Sequence, residues 1–231
     1  MSNLAVAVIG VLYAALLVYY ILLEKQEKFL NATIAKVILS AFASGVCVYA
    51  AVLLGNYVFY IFALGMVFAV PADFFLQYIK TDLMKYRAGI FFFGLMHICL
   101  LTSFYISSIY RITFIEFILF AVLIGILLAF MLIGKWKIGP EKLQLNIYTV
   151  LVVFMASKAI SLSFTIPNPM IYVLMLSLGG LFFFISDLFL GIWAYSKSSG
   201  KFIYLALNRI IYFIGQLCLA FYLVFLVIAA N

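Results

Sequence analysis

The stretch Met170-IYVLMLSLGGLFFFIS-Asp187-LFLGIWA-Tyr195 is a continuous apolar run interrupted by a single charge. About 20 apolar residues suffice to span the hydrocarbon core of a bilayer, so residues 170–195 read as a transmembrane helix with a carboxyl group inside it. An ionised carboxylate there costs at least a few kcal/mol, and such residues face a bundle interior or a wet cavity. A near-copy lies upstream. Gly65-MVFAVPA-Asp73-FFL matches Gly179-GLFFFIS-Asp187-LFL, with glycine eight residues before the aspartate, phenylalanine five before it (Phe68, Phe182), and Phe-Leu after it (Phe75-Leu76, Phe189-Leu190). Two membrane acids in equivalent positions point to a polar site between the two helices. The alternative is structural, an Asp–Lys or Asp–Arg pair that holds the bundle together.

The rest of the chain extends this pattern. Hydrophobic residues make up 69% and charged residues 9%, against about 25% charged in soluble domains. The chain therefore reads as one all-α domain over residues 1–231, a polytopic membrane bundle with no separate soluble part. Eight helices are expected, at approximately 4–23, 32–54, 57–78, 88–110, 112–133, 145–164, 170–195 and 202–229. The first has no positive segment before it and reads as a retained span instead of a cleaved signal. The connections at 54–57 and 110–112 are so tight that each could join one long bent helix. Cys47, Cys99 and Cys218 lie in apolar segments, which argues against a disulfide framework or thiolate metal site.

Orientation follows from the lysines and arginines. The loops after helices 1, 3, 5 and 7 hold Lys25, Lys28, Lys80, Lys85, Arg87, Lys135, Lys137, Lys142, Lys197 and Lys201. The opposite side has only Arg111. By the positive-inside rule these loops are cytoplasmic and both termini lie outside, most simply in a bacterial inner membrane. The net charge of +7 is then topological, with some attraction to anionic lipid, and needs no nucleic-acid partner. The aspartate motifs sit on helices 3 and 7, which run in the same direction, as two parallel four-helix halves would place them.

Counting about 1.5 Å per residue, Asp73 lies roughly 8 Å and Asp187 roughly 12 Å from the cytoplasmic helix ends. Lys36, Asn208 and Arg209 fall in the same zone, and His97 nearer the midplane. Polar residues from five helices thus share a depth range, as around a cavity open to the cytoplasmic face. Each also has a plainer reading. Lys36 and Arg209 can snorkel to the headgroups, and His97, the single histidine, can be a hydrogen-bonded structural residue that builds no multi-histidine zinc site. Tyr212 and Gln216 can join helices. Pro71 is expected to kink helix 3 just before Asp73. Lys158 lies apart, in the outer half of helix 6, with Glu116 as its candidate partner.

These residues resemble the YhhN or lysoplasmalogenase-like family of membrane proteins. The resemblance rests on the helix 3 aspartate, the following basic loop and Gly89-IFFFGLM-His97. It rests further on Gly179-GLFFFIS-Asp187, similar to the family's G-x-hydrophobic-F-x-x-S-D signature, and on Tyr212-FIG-Gln216. Lys36 stands where the family has a Lys-Pro pair. The chain departs from the family's pattern at Val37, Ala72 and Leu100.

The resemblance implies hydrolysis of the vinyl ether bond of lysoplasmalogens to a fatty aldehyde and glycerophospho-ethanolamine or -choline, without metal or cofactor. That reaction calls for a carboxylic acid that protonates carbon and a carboxylate that stabilises the resulting cation or activates water. Two aspartates in unequal environments can divide these tasks. Asp187, the deeper, is expected to be the acid and Asp73 the base or electrostatic partner. His97 would orient water or a carboxylate, Lys36 or Arg209 would hold the phosphate, and Tyr212, Gln216 and Asn208 would complete the substrate site. The rival expectation is a carrier for a small molecule or lipid that uses the aspartates as proton or cation sites.

Overall fold

The computed structural model describes residues 3–107, 112–166, 170–197 and 199–230. Among them are eight helices: α1 Asn3–Lys25, α2 Phe29–Leu54, α3 Tyr57–Leu76, α4 Leu83–Ile106, α5 Phe114–Gly134, α6 Lys142–Thr165, α7 Ile171–Tyr195 and α8 Phe202–Ala230. Each is long and apolar enough to cross a membrane, and the chain is a multi-pass membrane protein. Its exterior carries large exposed apolar side chains such as Val11, Met84, Phe114 and Leu143, which water would not tolerate as contiguous faces.

Helix ends follow local chemistry. The α2–α3 connection is a true break. Gly55 adopts a left-handed conformation (φ 62°) after α2, and the Asn56 side chain accepts from Val58 N to cap α3. Asp82 caps α4 by accepting from Met84 N and Lys85 N at 3.0 and 3.1 Å. That cap moves the helix start to Leu83, ahead of the expected 88, because the amphipathic first turn carrying Lys85 and Arg87 is helical. Pro71 lies within an unbroken α3. Residues 110 and 111 of the expected 110–112 connection, Arg111 among them, fall outside the described residues.

Six helices close a ring in which α2 packs on α3, α3 on α4, α4 on α6, α6 on α7, α7 on α8, and α8 back on α2. Outside the ring, α1 lies against α2 and α8, and α5 against α6 and the edge of α7. Advancing every helix number by four maps the ring onto itself, as two parallel four-helix halves require. The closest pairs, α3–α4 and α7–α8, are built alike. A Cβ on Gly65 would meet Met96 O at 3.0 Å, and one on Gly179 would meet Gly215 O at 3.3 Å. Such small-residue contacts let helix backbones approach where no hydrophobic effect drives them together.

The outer helices are held differently. α1 buries Tyr13, Leu17, Tyr20 and Leu23, a stripe at three- and four-residue spacing. α5 buries only Glu116 and Leu123 among its described residues, and its far end stands clear, with Leu132 77% and Ile133 82% exposed. Its anchor is an ion pair. Lys158 Nζ of α6 lies 3.0 Å from Glu116 Oε2, both side chains fully buried, and the Tyr105 hydroxyl of α4 donates to Glu116 Oε1. The expected Lys158–Glu116 pairing is therefore present.

Candidate functional site

Asp73 is sealed inside the ring. Lys36 Nζ of α2 lies 3.1 Å from Oδ1, in an ion pair that lacks hydrogen-bond angles. Oδ2 accepts from Ser40 of α2 and, at 2.6 Å, from the Tyr212 hydroxyl of α8. Gln216 Nε2, one turn along α8, donates to the Tyr212 oxygen at 2.8 Å, and Tyr13 of α1 reaches Gln216 Oε1 at 3.5 Å. Lys36, Asp73 and Gln216 are all fully buried. Cation, carboxylate and surrounding donors form one network, the condition under which a buried charge pair persists.

Asp187 has different surroundings. Its Oδ2 accepts from the Tyr148 hydroxyl of α6 at 2.7 Å, and no cation pairs with it among the described residues. It lines a cavity of about 310 Å³ between α5, α6 and α7. Most of the wall is aliphatic or aromatic, including Ile124, Leu127 and Met131 of α5 and Phe184 of α7. The polar lining is sparse, chiefly Asn146, Thr149, Tyr148 and Asp187 itself.

The two carboxyl groups share no hydrogen bond or ion pair among the described residues. Their phenol partners meet through an aromatic cluster. Phe93 of α4 packs edge-on against Tyr212, with centroids 5.8 Å apart, and against Tyr148 at 6.3 Å. Phe183 packs on Tyr212 at 5.2 Å and on His97 at 5.7 Å. The carboxyl groups of helices 3 and 7 thus have separate hydrogen-bond partners, and those partners meet through one aromatic cluster. They follow one plan. The Asp73 site takes its aspartate from α3, its partner from α2, and the i,i+4 pair Tyr212/Gln216 from the last helix of the other half. The Asp187 site takes its aspartate from α7 and its partner from α6. The i,i+4 pair Phe93/His97 of α4 packs on that partner, with His97 5.6 Å from Tyr148.

The remaining expected residues lie nearby. Asn208 Nδ2 donates to Ser186 O at 2.9 Å, tying α8 to α7 beside Asp187. Arg209 donates to Asn208 Oδ1 at 3.3 Å, and its Nη2 lies 3.8 Å from Glu24 Oε1. Glu24 also accepts from Tyr20 at 2.9 Å and Gln77 at 2.7 Å. Neither Lys36 nor Arg209 lines the Asp187 cavity. Both ring nitrogens of His97 are buried without a hydrogen-bond partner among the described residues. Among those residues no three of His, Cys, Asp and Glu gather as a metal site.

Sequence reasoning does not single out Tyr148, Ser40 or Tyr13. A signal for Tyr148 exists. Lys36 precedes Asp73 by 37 residues and Tyr148 precedes Asp187 by 39, so each acid pairs with a residue at nearly the same place on the preceding helix.

A membrane bundle of eight helices among the described residues, with a sealed Asp73 and a cavity-facing Asp187, defines the class. The chain belongs to the YhhN family, whose profile matches residues 36–223 and so takes in both aspartates, Tyr148, Tyr212 and Gln216. Comparison with the curated proteins and with the solved structures returns no match.

Proposed function

We propose that this protein is a membrane hydrolase that cleaves the vinyl ether bond of lysoplasmalogens at Asp187. The observation that carries the reading is a carboxyl group with a phenol partner and, among the described residues, no cation, set in the wall of an apolar cavity large enough for part of a lipid chain. That environment suits a proton-donating carboxyl. The alkenyl chain lies along the aliphatic faces of α5 and α6, reached sideways from the membrane past the loosely held α5.

The steps need one carboxyl in direct contact. Asp187 gives its proton to the vinyl carbon distal to oxygen, leaving an oxocarbenium ion that the new carboxylate stabilises across the cavity. Water adds to the cationic carbon and its proton returns to Asp187. The hemiacetal then collapses as Asp187 protonates the departing glycerol oxygen and regains a proton from the hemiacetal hydroxyl. Lipid and water become fatty aldehyde and glycerophospho-alcohol, with Asp187 unchanged. Tyr148 orients the carboxyl, and His97, with its ring centroid 5.6 Å from that of Tyr148, holds that phenol in place. Asp73, paired with Lys36, acts electrostatically and keeps Tyr212 in place. Lys36, Asn208, Arg209 and Gln216 support this framework.

The test is to incubate purified protein with a lysoplasmalogen and, separately, with the matching ester lysophospholipid, and to quantify aldehyde and fatty acid. Aldehyde release lost in Asp187→Asn supports the hydrolase. No product from a folded protein rejects it. The repeated four-helix plan, with one motif aspartate per half, favours a second reading as a carrier, and substrate flux in proteoliposomes decides for it.

A further inference from the structure

Trp136 lies in the α5–α6 connection, in none of the polar networks described above. The connection is held to the α7–α8 turn by two backbone bonds, Lys137 N to Tyr195 O at 2.9 Å and Lys197 N to Gly134 O at 3.2 Å. The indole is wedged between two glycines. A Cβ on Gly191 would lie 2.1 Å from its benzo edge, and one on Gly134 would lie 2.6 Å from Nε1. Only residues without side chains leave room for this ring. Gly191 is one turn past Asp187, about 6 Å along the helix axis, and Trp136 lines the same cavity. Its Nε1–H is buried and has no acceptor among the described residues. Buried tryptophan N–H groups usually find a partner, and one left unmet is costly. Tyr195, with its ring centroid 6.4 Å from that of Trp136, and Asn146 also line the cavity, whereas the α5 wall is aliphatic.

We propose that Trp136 is a ligand-binding residue of the Asp187 cavity, whose indole N–H donates to an oxygen of the glycerol–phosphate portion of a single-chain lipid. The inference rests on the hydrolase reading for the lipid's chemistry. In a lysolipid the sn-2 hydroxyl and the phosphate follow the ether oxygen within a few bonds. A donor one helical turn from the carboxyl therefore fixes which lipid carbon faces Asp187. Trp136 sets the register of the lipid, and Asp187 acts on the bond so presented.

The chain has two tryptophans. Trp193 sits under Lys80 Nζ, 3.9 Å from the ring centroid, and does not line this cavity. In the full-length Trp193→Phe protein in detergent, Trp136 is the only indole reporter. We would titrate it with 1-O-hexadecyl-glycerophosphoethanolamine, an ether lipid with no vinyl bond to cleave, and with 1-O-hexadecylglycerol. In parallel, binding of the radiolabelled lipids would be measured to Trp136→Phe, which keeps a ring and loses the donor. The expected result is a saturable change in Trp136 emission and an affinity weakened about three- to tenfold in Trp136→Phe, the loss of one hydrogen bond. An effect confined to the phospholipid assigns the acceptor to phosphate, and an effect with both lipids assigns it to glycerol. Equal affinity for both proteins, unmoved emission, or no binding of either lipid would overturn the proposal. Lipid binding with these signatures but no aldehyde release would reject the hydrolase and leave the Trp136 site standing. Aldehyde release with a wild-type KM in Trp136→Phe would do the reverse.

Discussion

The Tyr148 hydroxyl donates to Asp187 across 2.7 Å, from α6 to α7, at the wall of an apolar cavity. Phenylalanine at 148 would keep the ring packing on Phe93 and His97 and remove only the donor. We expect Asp187→Asn to lower kcat by about 10²–10⁴-fold, the range of general acid–base catalysis. Tyr148→Phe should lower it by about tenfold, as for a hydrogen bond to an ionisable group. Aldehyde release at saturating lipid measures both, and a wild-type rate in Asp187→Asn would remove that residue from the chemistry.

Lys36 and Asp73 are buried as a pair, so removing one charge strands the other. Breaking such a pair costs about 3–5 kcal/mol, whereas replacing both members is far less costly. Lys36→Met and Asp73→Asn should each lower the thermal midpoint in detergent more than the double substitution does, because the amide oxygen introduced by Asp73→Asn still accepts from Tyr212 and Ser40. Strictly additive losses in the double variant would mean that the pair is not coupled.

The eight spans and both acids are legible in the sequence because apolar length and a charge inside it are one-dimensional signals. The grouping of polar residues is not. Depth along a helix places Asp73, Asp187, Lys36 and Arg209 in one zone but does not give their partners: Tyr212 donates to Asp73, Tyr148 donates to Asp187, and Phe93 packs on both phenols. Tyr148 is hidden among 16 tyrosines, and only its spacing to Asp187 sets it apart. Trp136 lies outside every helix, and its place depends on two glycines, Gly134 and Gly191, distant from each other in sequence.

The α3–α4 contact beside Asp73 has no spare room. A Cβ on Gly89 would meet Leu76 N at 2.9 Å and Ala72 O at 3.3 Å, both backbone atoms that cannot rotate away. Gly89→Ala should therefore push α4 from α3, lower the thermal midpoint and disturb the Asp73 network. Gly45 in α2 faces open space. Gly45→Ala should be neutral or stabilise by about 0.5–1 kcal/mol, since glycine inside a helix is less favourable than alanine. The contrast is read by thermal unfolding of the two variants, and equal shifts would show that the α3–α4 backbones are not in close contact.

Both ends of the described chain, Asn3 and Ala230, lie on one side of the bundle because eight helices cross it. The opposite side carries Lys28, Lys80, Lys135, Lys137 and Lys201, and by the positive-inside rule we expect that side to face the cytoplasm. The Asp187 cavity reaches toward it, since Trp136 and Tyr195 are among its lining, so lipid would be drawn from the inner leaflet. Single cysteines test this in a protein whose three native cysteines are replaced. Lys201→Cys should react with an impermeant maleimide only after cells are opened, and Asn56→Cys should react in intact cells. The reversed pattern would turn the bundle over and send the cavity to the outer leaflet, changing which lipid pool it meets while leaving the Asp187 chemistry intact.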